Sequence, residues 1–252
     1  MNLPVMKALL VIPCYNEAER LPVEDFLEFN AQHDDIGFLF VNDGSSDNTQ
    51  GVLARLAARM PAHCSSLSLT RNRGKAEAVR AGMIQALTRE VEYVGYWDAD
   101  LSTPLDEIPR FMDRYRSMPD RVMLAGARVR LMGRTIERRA ARHFLGRVFA
   151  SAASLLLDIR LYDTQCGAKL LRCTPETGDL FLHPFHSRWL FDLELIMRIR
   201  QQEGTRRQLP VDSLVYEVPL NTWRDVSGSK ISYPYFFWAF FDLLLLRLAY
   251  RH

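Results

Sequence analysis

The first half of the chain alternates between short apolar runs and longer amphipathic segments. The runs are rich in aromatic and β-branched residues, which is typical of buried strands, whereas the segments between them have helical spacing. Strands that alternate with helices predict βαβ units and a mostly parallel sheet flanked by helices. The predicted strands are residues 8–12, 38–41, 67–69 and 93–97, and the predicted helices are residues 19–32, 48–59 and 75–88.

Beyond Pro104 the pattern continues with a helix at 106–116 and a strand at 122–126, and then its character changes. The following segment carries many arginines and a single acid, Glu137, before it ends in an apolar helix at 149–157. Because no repeat, low-complexity tract or linker separates these parts, we expect one α/β domain. The arginines of the segment are Arg128, Arg130, Arg134, Arg138, Arg139, Arg142 and Arg147.

Composition narrows the class of protein. A chain of 252 residues with 48% hydrophobic content is long enough to bury a full core. Its formal net charge of +2 is too small for general nucleic-acid binding, so anionic ligands must be met by local clusters of cations. The cysteines include no Cys-x-x-Cys pair, which favours a reducing compartment over a disulfide framework or a zinc site. They are Cys14, Cys64, Cys166 and Cys173.

Neither a secretion signal nor a clear membrane span is predicted. The apolar run at 8–12 is short and continues into polar residues, so we interpret it as a strand and expect a cytoplasmic protein. The segment 231–250 approaches the length of a span but contains Pro234, Asp242 and Arg247. We therefore expect a C-terminal amphipathic helix that lies on a surface.

Each predicted strand of the first half is followed by a cluster of polar residues. In parallel α/β sheets the carboxyl ends of the strands meet at one edge, and ligands bind beyond that edge. The sequence therefore predicts one ligand site built from four loops. The clusters are residues 13–17, 42–47, 71–75 and 98–100.

The most informative cluster is Asp98-Ala99-Asp100, which follows an apolar and aromatic run. Two carboxylates that leave a sheet together can bind one hard cation such as Mg²⁺ or Mn²⁺, with the other coordination positions left to water and phosphate oxygens. We therefore predict that Asp98 and Asp100 hold a metal ion that binds a diphosphate. Considered alone, the two acids have an alternative role as the end of a strand and the cap of a turn.

Two other clusters suit a nucleotide. Asp43 follows a strand, where its carboxylate can accept hydrogen bonds from a base or a ribose, while Asp47 or Ser46 caps the next helix. Residues 71–75 place cations ahead of a helix N-terminus, which suits an anion. The chain has no P-loop, dinucleotide-binding glycine motif or Gly-x-Ser-x-Gly elbow, so those classes lack support.

These clusters and several later motifs follow one another in a fixed order over nearly the whole chain. They are residues 11–17 (VIPCYNE), 41–47 (VNDGSSD), 72–75 (NRGK), 98–102 (DADLS), 163–169 (DTQCGAK) and 188–194 (RWLFDLE), and Trp223 with 228–230 (GSK). Together they resemble the family 2 glycosyltransferases of the GT-A fold, and within them the dolichyl- or polyprenyl-phosphate β-glucosyltransferase branch. Each motif is weak alone, but their order supports this fold and a glycosyl-transfer reaction.

The resemblance implies roles for residues that match the family motifs. Pro13, Tyr15 and Glu17 would line the nucleoside of a nucleotide sugar. Asp43 would contact the base or ribose, and Lys75 would neighbour the nucleotide.

It also implies a metal and phosphate site. Asp98 would lie near the ribose and the metal, and Asp100 would be the main metal ligand. Ser102 stands where relatives that make mannosyl phosphates carry a glutamine ligand, so water would replace that ligand. Arg224 and Lys230 match a C-terminal pair that reaches the donor diphosphate or the acceptor phosphate in relatives.

Several further positions keep more than one interpretation. Asp163 and Gln165 would contact the donor sugar or the acceptor, or would fix a turn. Asp192 would orient sugar hydroxyls together with Glu194, act as a base for a hydroxyl acceptor, or cap the helix predicted at 193–200.

The activity that the resemblance implies is metal-dependent, inverting transfer of a hexose from a nucleotide sugar, with UDP-glucose as the expected donor. The expected acceptor is a polyprenyl phosphate, dolichyl or undecaprenyl, at the cytoplasmic face of a membrane. Residues 1–128 would then bind the nucleotide sugar, residues 129–230 the acceptor, and residues 231–252 the membrane surface.

Two sequence features favour a lipid acceptor. The arginines of the segment 128–147 suit an anionic surface. The aromatic and aliphatic C-terminal segment suits an interfacial helix, although the same pattern also fits a core helix or a dimer contact.

Three alternatives remain from the sequence. A glycosyltransferase acting on a saccharide or another hydroxyl acceptor would use Asp192 as its base. A nucleotidyltransferase would share the α/β layout and the metal carboxylates, although the first strand leads into Pro13 and not into a glycine-rich basic loop. A non-catalytic nucleotide-sugar binder would not need the Asp98 and Asp100 pair.

Overall fold

The computed structural model describes residues 6–137, 140–202, 209–226 and 233–250. The predicted apolar runs form strands: β1 and β2 are longer than predicted, β4 has the predicted bounds, β5 lies one residue later and β3 lies earlier. They are β1 (Ala8–Cys14), β2 (Ile36–Asn42), β3 (Cys64–Ser68), β4 (Tyr93–Trp97), β5 (Met123–Ala127), β6 (Thr135–Glu137), β7 (Ala168–Arg172), β8 (Val215–Pro219) and β9 (Thr222–Arg224).

Helices connect most of these strands. The helices are α1 (Val23–Gln32), α2 (Thr49–Arg59), α3 (Lys75–Ala86), α4 (Glu107–Ser117), α5 (Ala140–Leu157), α6 (Pro175–Leu182), α7 (Phe191–Gln201), α8 (Val211–Leu214) and α9 (Tyr233–Ala249).

The main sheet has seven strands in the order β3-β2-β1-β4-β7-β5-β8. Strands β1 to β4 are parallel to their neighbours among themselves, and β5 pairs in parallel with β8. Only β7 is antiparallel to its neighbours, β4 and β5, within this sheet. A second sheet pairs β6 with β9. The prediction of a mostly parallel α/β sheet flanked by helices is therefore confirmed.

Both faces of the sheet are buried, because β1 and β2 are apolar at almost every position. Leu9 and Val11 face one hydrophobic cluster together with residues of α3, α5, α7 and α9. Leu10 and Ile12 face a second cluster together with residues of α1, α2 and α4. A parallel sheet covered on both faces reads as continuous apolar runs, which is the pattern of the sequence.

Some predicted helix bounds were wrong. Helix α1 begins at Val23 and not at residue 19, because the residue before a proline avoids helical geometry and Pro22 stands at the N-cap. Helix α5 begins at Ala140 and not at 149, within the arginine-rich segment. Helix α7 begins at Phe191, with Leu190 at its N-cap and no side-chain cap, so Asp192 does not cap it.

The C-terminal helix α9 forms as predicted and packs on the core. Ala239, Leu243 and Leu246 are buried within the cluster that includes α5. The rings of Phe149 and Phe240 meet edge to face with centroids 5.9 Å apart. Within the part of the chain that the structure describes, no helix has both the length and the apolar content to cross a membrane.

Candidate active site

A cavity of about 420 Å³ opens beyond the carboxyl ends of β1, β2 and β4. Its walls come from the loops that follow those strands, from the start of α3 and from the segment that precedes α7. The lining residues are Pro13, Cys14, Tyr15, Glu17, Arg20, Asp43, Asn72, Gly74, Lys75, Ala78, Asp98, Ala99, Asp100, Arg188 and Trp189. The four predicted polar clusters thus meet at one site.

The loops after β1 and β2 are joined by side-chain hydrogen bonds. The Asn16 amide donates to Ser45 Oγ at 3.0 Å, and the Ser46 amide donates to Asn16 Oδ1 at 2.9 Å. The Glu17 amide donates to Thr49 Oγ1 at 2.8 Å. Asn16 has a φ of 52°, a left-handed conformation that asparagine tolerates better than most residues. These contacts fix the wall that carries Tyr15 and Glu17.

Asp43 organises the loop ahead of α3. Its Oδ1 accepts from the Arg73 amide at 2.7 Å and its Oδ2 accepts from the Gly74 amide at 2.8 Å. Gly74 has a φ of 93°, which favours glycine. Burial raises the pKa of Asp43, and the two amides only partly offset that effect. The carboxylate therefore supports the floor of the cavity, with its remaining lone pairs available to a ligand.

Asp98 lies opposite the first residue of α3. Lys75 Nζ donates to Asp98 Oδ1, which joins strand β4 to the N-terminus of that helix. Burial alone would raise the pKa of Asp98, but Lys75, Lys169 and Arg128 together hold it below its ordinary value. Asp98 is therefore a carboxylate anion that is stabilised by the positively charged side chains around it.

Asp100 lies in the turn that follows Asp98. Its Oδ1 accepts from the Ser102 amide at 3.0 Å, which closes a local turn. Burial and the negative charge of Asp98 raise the pKa of Asp100. A cation between the two carboxylates would relieve this repulsion, so the pair fits a divalent metal ion. Among the described residues no group of three or more His, Cys, Asp or Glu side chains gathers as a metal site. A bound ion would therefore also need phosphate oxygens of a bound substrate, or water, as ligands.

Gly167 fits against the Asp98 carboxylate. A Cβ at this position would lie 1.9 Å from Asp98 Oδ2, far inside van der Waals contact. Because Gly167 has no side chain, the Asp98 carboxylate has room to lie beside Lys75.

Replacing Gly167 with Ala is expected to displace Asp98 and to lower the glycosyl transfer predicted from the sequence by about 10²-fold, since small errors of position within an active site are costly. Steady-state transfer assays would measure this loss. The matched control is Gly178→Ala in α6, where a Cβ meets nothing within 4 Å, and which should retain activity. Equal activity of the two variants would contradict the role of Gly167.

Asp192 lies in a buried layer behind the cavity wall. Its Oδ1 accepts from the Tyr96 hydroxyl at 2.5 Å and pairs with Lys169 Nζ at 2.6 Å. Lys169 is itself fully buried and also donates to the Cys166 carbonyl at 2.6 Å. Asp192 does not line the cavity, although its charge acts on Lys75. The neighbouring Glu194 is bound by the side chains of His186, Arg198 and Tyr250.

Asp163 and Gln165 also lie outside the cavity lining. Asp163 binds Arg128 through two oxygens, with Nε to Oδ2 at 2.5 Å and a terminal nitrogen to Oδ1 at 2.7 Å. The Gln165 amide donates to Asp163 Oδ1 at 3.3 Å, as in the predicted turn. Arg128 stacks over Trp223, with its Cζ 5.2 Å from the ring centroid. Asp163 therefore orients the half-buried Arg128, whose charge acts on Asp98.

The predicted C-terminal phosphate pair is described only in part. The Arg224 amide donates to the Ser102 carbonyl at 3.0 Å, which brings β9 to the turn that carries Asp100. The side chain of Arg224 is exposed and does not line the cavity. Lys230 lies outside the described residues.

The structure adds lining residues that the sequence analysis did not select. Arg188 and Trp189 come from the segment before α7, and a terminal nitrogen of Arg188 donates to Asn72 Oδ1 at 3.3 Å. Trp189 is 39% exposed at the wall of the cavity. The 188–194 motif contained both residues, but only the fold brings Arg188 to Asn72 and Trp189 to the cavity wall. No local pattern marked Arg20.

Comparison with known proteins identifies the class. Residues 9–176 match Glycosyl transferase family 2. The chain belongs to this family, and it is a glycosyltransferase.

Individual relatives of the chain carry more specific names than the family. It is 31% identical to a dolichyl-phosphate beta-glucosyltransferase of Mus musculus, over 98% of this chain and 76% of the relative. It is 28% identical to the enzyme of that name from Homo sapiens, over 98% and 76%. A bactoprenol glucosyl transferase of Shigella phage SfX is 34% identical over 47% of this chain and 38% of the relative.

A solved structure shares the fold. Glucosyl-3-phosphoglycerate synthase from Mycobacterium tuberculosis in complex with UDP superposes with a TM-score of 0.64 at 14% identity, covering 97% of this chain and 80% of the other. At this identity the similarity establishes the GT-A fold alone.

Proposed function

We propose that this chain transfers glucose from UDP-glucose to a polyprenyl phosphate, with inversion and with Mg²⁺ or Mn²⁺ as cofactor. The observation that carries the proposal is the meeting of Asp98, Asp100 and Lys75 in one cavity. The names of the relatives, which refer to dolichyl phosphate and bactoprenol glucosylation, support the acceptor class. The complex of the structural relative with Mn²⁺ and UDP-glucose supports the donor and the metal.

In this proposal Pro13, Tyr15 and Glu17 line the nucleoside, and Asp43 contacts the base or ribose. Asp98 and Asp100 would hold the metal ion, which would supply Lewis-acid stabilisation of the diphosphate. Lys75 adds a fixed positive charge beside it, and electrostatic groups fixed in advance stabilise a leaving group at no reorganisation cost.

The class of acceptor is inferred from the contacts of the Asp192 carboxylate. Its Oδ1 is engaged by Tyr96 and Lys169, so the carboxylate is poorly placed to take a proton from an acceptor hydroxyl. A phosphate acceptor is already anionic near neutral pH and needs no strong base. The geometry of Asp192 therefore favours a lipid phosphate over a saccharide hydroxyl. Asp163 acts through Arg128, and Arg224 with Lys230 would serve the donor diphosphate or the acceptor phosphate.

The division of the chain follows from the same proposal. Residues 1–128 supply most of the nucleotide-sugar site, and residues 129–230 bind the acceptor. Arg188 and Trp189 extend the second part into the wall of the nucleotide cavity.

A single transfer assay tests the proposal. Radiolabelled UDP-glucose is incubated with a short polyprenyl phosphate in detergent and Mn²⁺ or Mg²⁺, with GDP-mannose, a saccharide acceptor and EDTA as parallel arms. The expected result is an organic-extractable product from UDP-glucose that EDTA abolishes. Transfer only to the saccharide would overturn the lipid acceptor. In a separate incubation with UTP and sugar phosphate, pyrophosphate release would indicate a nucleotidyltransferase. Binding of UDP-glucose without turnover would indicate a non-catalytic binder.

We also propose that α9 attaches the protein to the cytoplasmic face of a membrane. Leu244, Leu245 and Leu248 expose 47%, 59% and 66% of their surface on the side of α9 away from the core. Leu155 of α5, the helix packed against α9, is 83% exposed. Apolar side chains on the outer face of a surface helix are typical of interfacial binding.

The double substitution Leu244→Glu and Leu245→Glu is expected to weaken binding to phosphatidylcholine and phosphatidylglycerol vesicles by about tenfold or more, because the leucines would lose their burial in lipid. Co-sedimentation would measure the change. Leu182→Glu is the control, since Leu182 is 60% exposed on α6. Equal loss in both variants would contradict a specific role for α9.

A further inference from the structure

Helix α9 contacts the segment that forms one wall of the cavity, residues 187–190, through a partly buried polar pair. Asp242 Oδ2 accepts from Ser187 Oγ at 2.5 Å, and Ser187 is only 3% exposed. Asp242 stands on the inward side of α9, between the buried Ala239 and Leu246. An acid in this apolar helix therefore has a specific partner next to the cavity wall.

The Ser187 hydroxyl organises the turn that follows it. Its oxygen accepts from the Leu190 amide at 3.0 Å and from the Trp189 amide at 3.3 Å. A hydroxyl has one proton and two lone pairs. Because the hydroxyl donates its hydrogen bond to Asp242, its lone pairs are directed at these two amides. The bond to a carboxylate is also stronger than one between neutral groups.

The turn held in this way carries two residues of the cavity wall. Arg188 reaches Asn72 across the cavity, and its Nε would lie 2.7 Å from a Cβ at Gly74. Trp189 is the next residue along the wall. The position of both side chains therefore depends on the backbone between Ser187 and Leu190.

A second contact braces the same segment from the end of α9. The Tyr250 hydroxyl donates to Glu194 Oε1 at 2.9 Å. Glu194 Oε2 in turn accepts from the His186 amide at 2.8 Å. The chain is thus linked to this C-terminal part at two adjacent residues, at His186 through Glu194 and Tyr250, and at Ser187 directly through Asp242.

We propose that Asp242 is a positioning residue for the nucleotide cavity. By fixing the Ser187 hydroxyl, it holds Arg188 against Asn72 and Gly74 and holds Trp189 at the wall of the cavity. It follows that the packing of α9 on the core influences the affinity of the protein for the nucleotide-sugar donor. The identity of the ligand, a uridine diphosphate, rests on the proposed function.

The test compares Asp242→Leu with Asp242→Asn in the full chain. Leucine removes the acceptor, whereas asparagine retains an oxygen that can accept from Ser187 Oγ. UDP affinity is measured by calorimetry in Mn²⁺, and hydrogen exchange is measured at the amides of Trp189 and Leu190. Asp242→Leu is expected to weaken UDP binding about tenfold and to speed exchange at both amides. Asp242→Asn is expected to stay within about threefold of the native protein.

A matched control lies one turn further along α9. Arg247 donates to the Leu156 carbonyl of α5 and does not contact Ser187. Arg247→Gln should leave both UDP affinity and exchange at Trp189 and Leu190 unchanged. An equal loss in this variant, or in Asp242→Asn, would overturn the proposal in favour of a general packing effect. Native affinity and native exchange in Asp242→Leu would overturn it directly.

Failure of the donor assignment is distinguishable from failure of this proposal. Native protein that binds GDP or another nucleoside diphosphate and not UDP would refute the donor, and the comparison would then use the nucleotide that binds. If no nucleotide binds, the exchange rates at Trp189 and Leu190 decide: rates that respond to Asp242→Leu support the positioning role, and rates that do not respond overturn it.

Discussion

Replacing Asp100 with Asn is expected to reduce sugar transfer by about 10³-fold, the scale of losing a main electrostatic group of an active site. Asparagine has the same size and an oxygen for the Ser102 amide, so the turn should persist. What it lacks is the negative charge that would hold a cation beside Asp98. Steady-state transfer with a labelled nucleotide sugar would measure the loss.

The same substitution is expected to increase the stability of the metal-free protein. Burial and the charge of Asp98 raise the pKa of Asp100 in the folded state. For an acid with a raised folded pKa, ionisation opposes folding, so stability falls as the pH rises through that pKa. A neutral asparagine removes this penalty near pH 7. Thermal unfolding in EDTA should therefore show a higher midpoint.

Asp106→Asn provides the control for charge alone. Asp106 is an exposed residue at the N-cap of α4, and it does not line the cavity. This variant should retain activity. Full activity of Asp100→Asn would remove the metal assignment, and a lower unfolding midpoint would attribute its loss of activity to structural damage.

Replacing Lys169 with Met is expected to destabilise the fold by about 3–5 kcal/mol, the cost of leaving a buried charge without its partner. Lys169 is fully buried between Asp192 Oδ1 and the Cys166 carbonyl, each 2.6 Å from its Nζ. Methionine fills a similar volume but carries no charge. Asp192 would then retain only the Tyr96 hydroxyl at this oxygen. Urea unfolding would measure the change in free energy.

Two variants test the cause of this loss. In the double variant Lys169→Met with Asp192→Asn, the unpaired charge is absent, so part of the stability should return. Lys7→Met breaks an ion pair with Asp35 at 2.8 Å that is far more exposed, and it should cost at most about 1 kcal/mol. A loss in Lys169→Met no larger than in Lys7→Met would contradict the buried-pair argument.

The local parts of the site were predictable because they lie on single strand ends. Periodicity located β1, β2 and β4, and the rule that parallel strands end at one edge brought their loops together. Residues from 13 to 100 that were predicted to face a ligand therefore lie around one cavity: Pro13, Tyr15, Glu17, Asp43, Lys75, Asp98 and Asp100.

The later motifs were harder to interpret, because their acids have partners far away in sequence. Asp163 binds Arg128, and Asp192 binds Lys169 and Tyr96. A polar residue in a motif looks the same in the sequence whether it faces a ligand or a buried cation. The difference depends on β7, which is antiparallel and places Lys169 opposite Tyr96.

The sequence by itself determined the α/β class, the family and the edge of the sheet where ligands bind, because apolar periodicity and short motifs act over a few residues. Only the tertiary structure decided which charged groups face the cavity and which support it. It also joined Arg188 to Asn72 and Asp242 to Ser187. Such pairs depend on the packing of elements that are distant along the chain, and no local pattern records that packing.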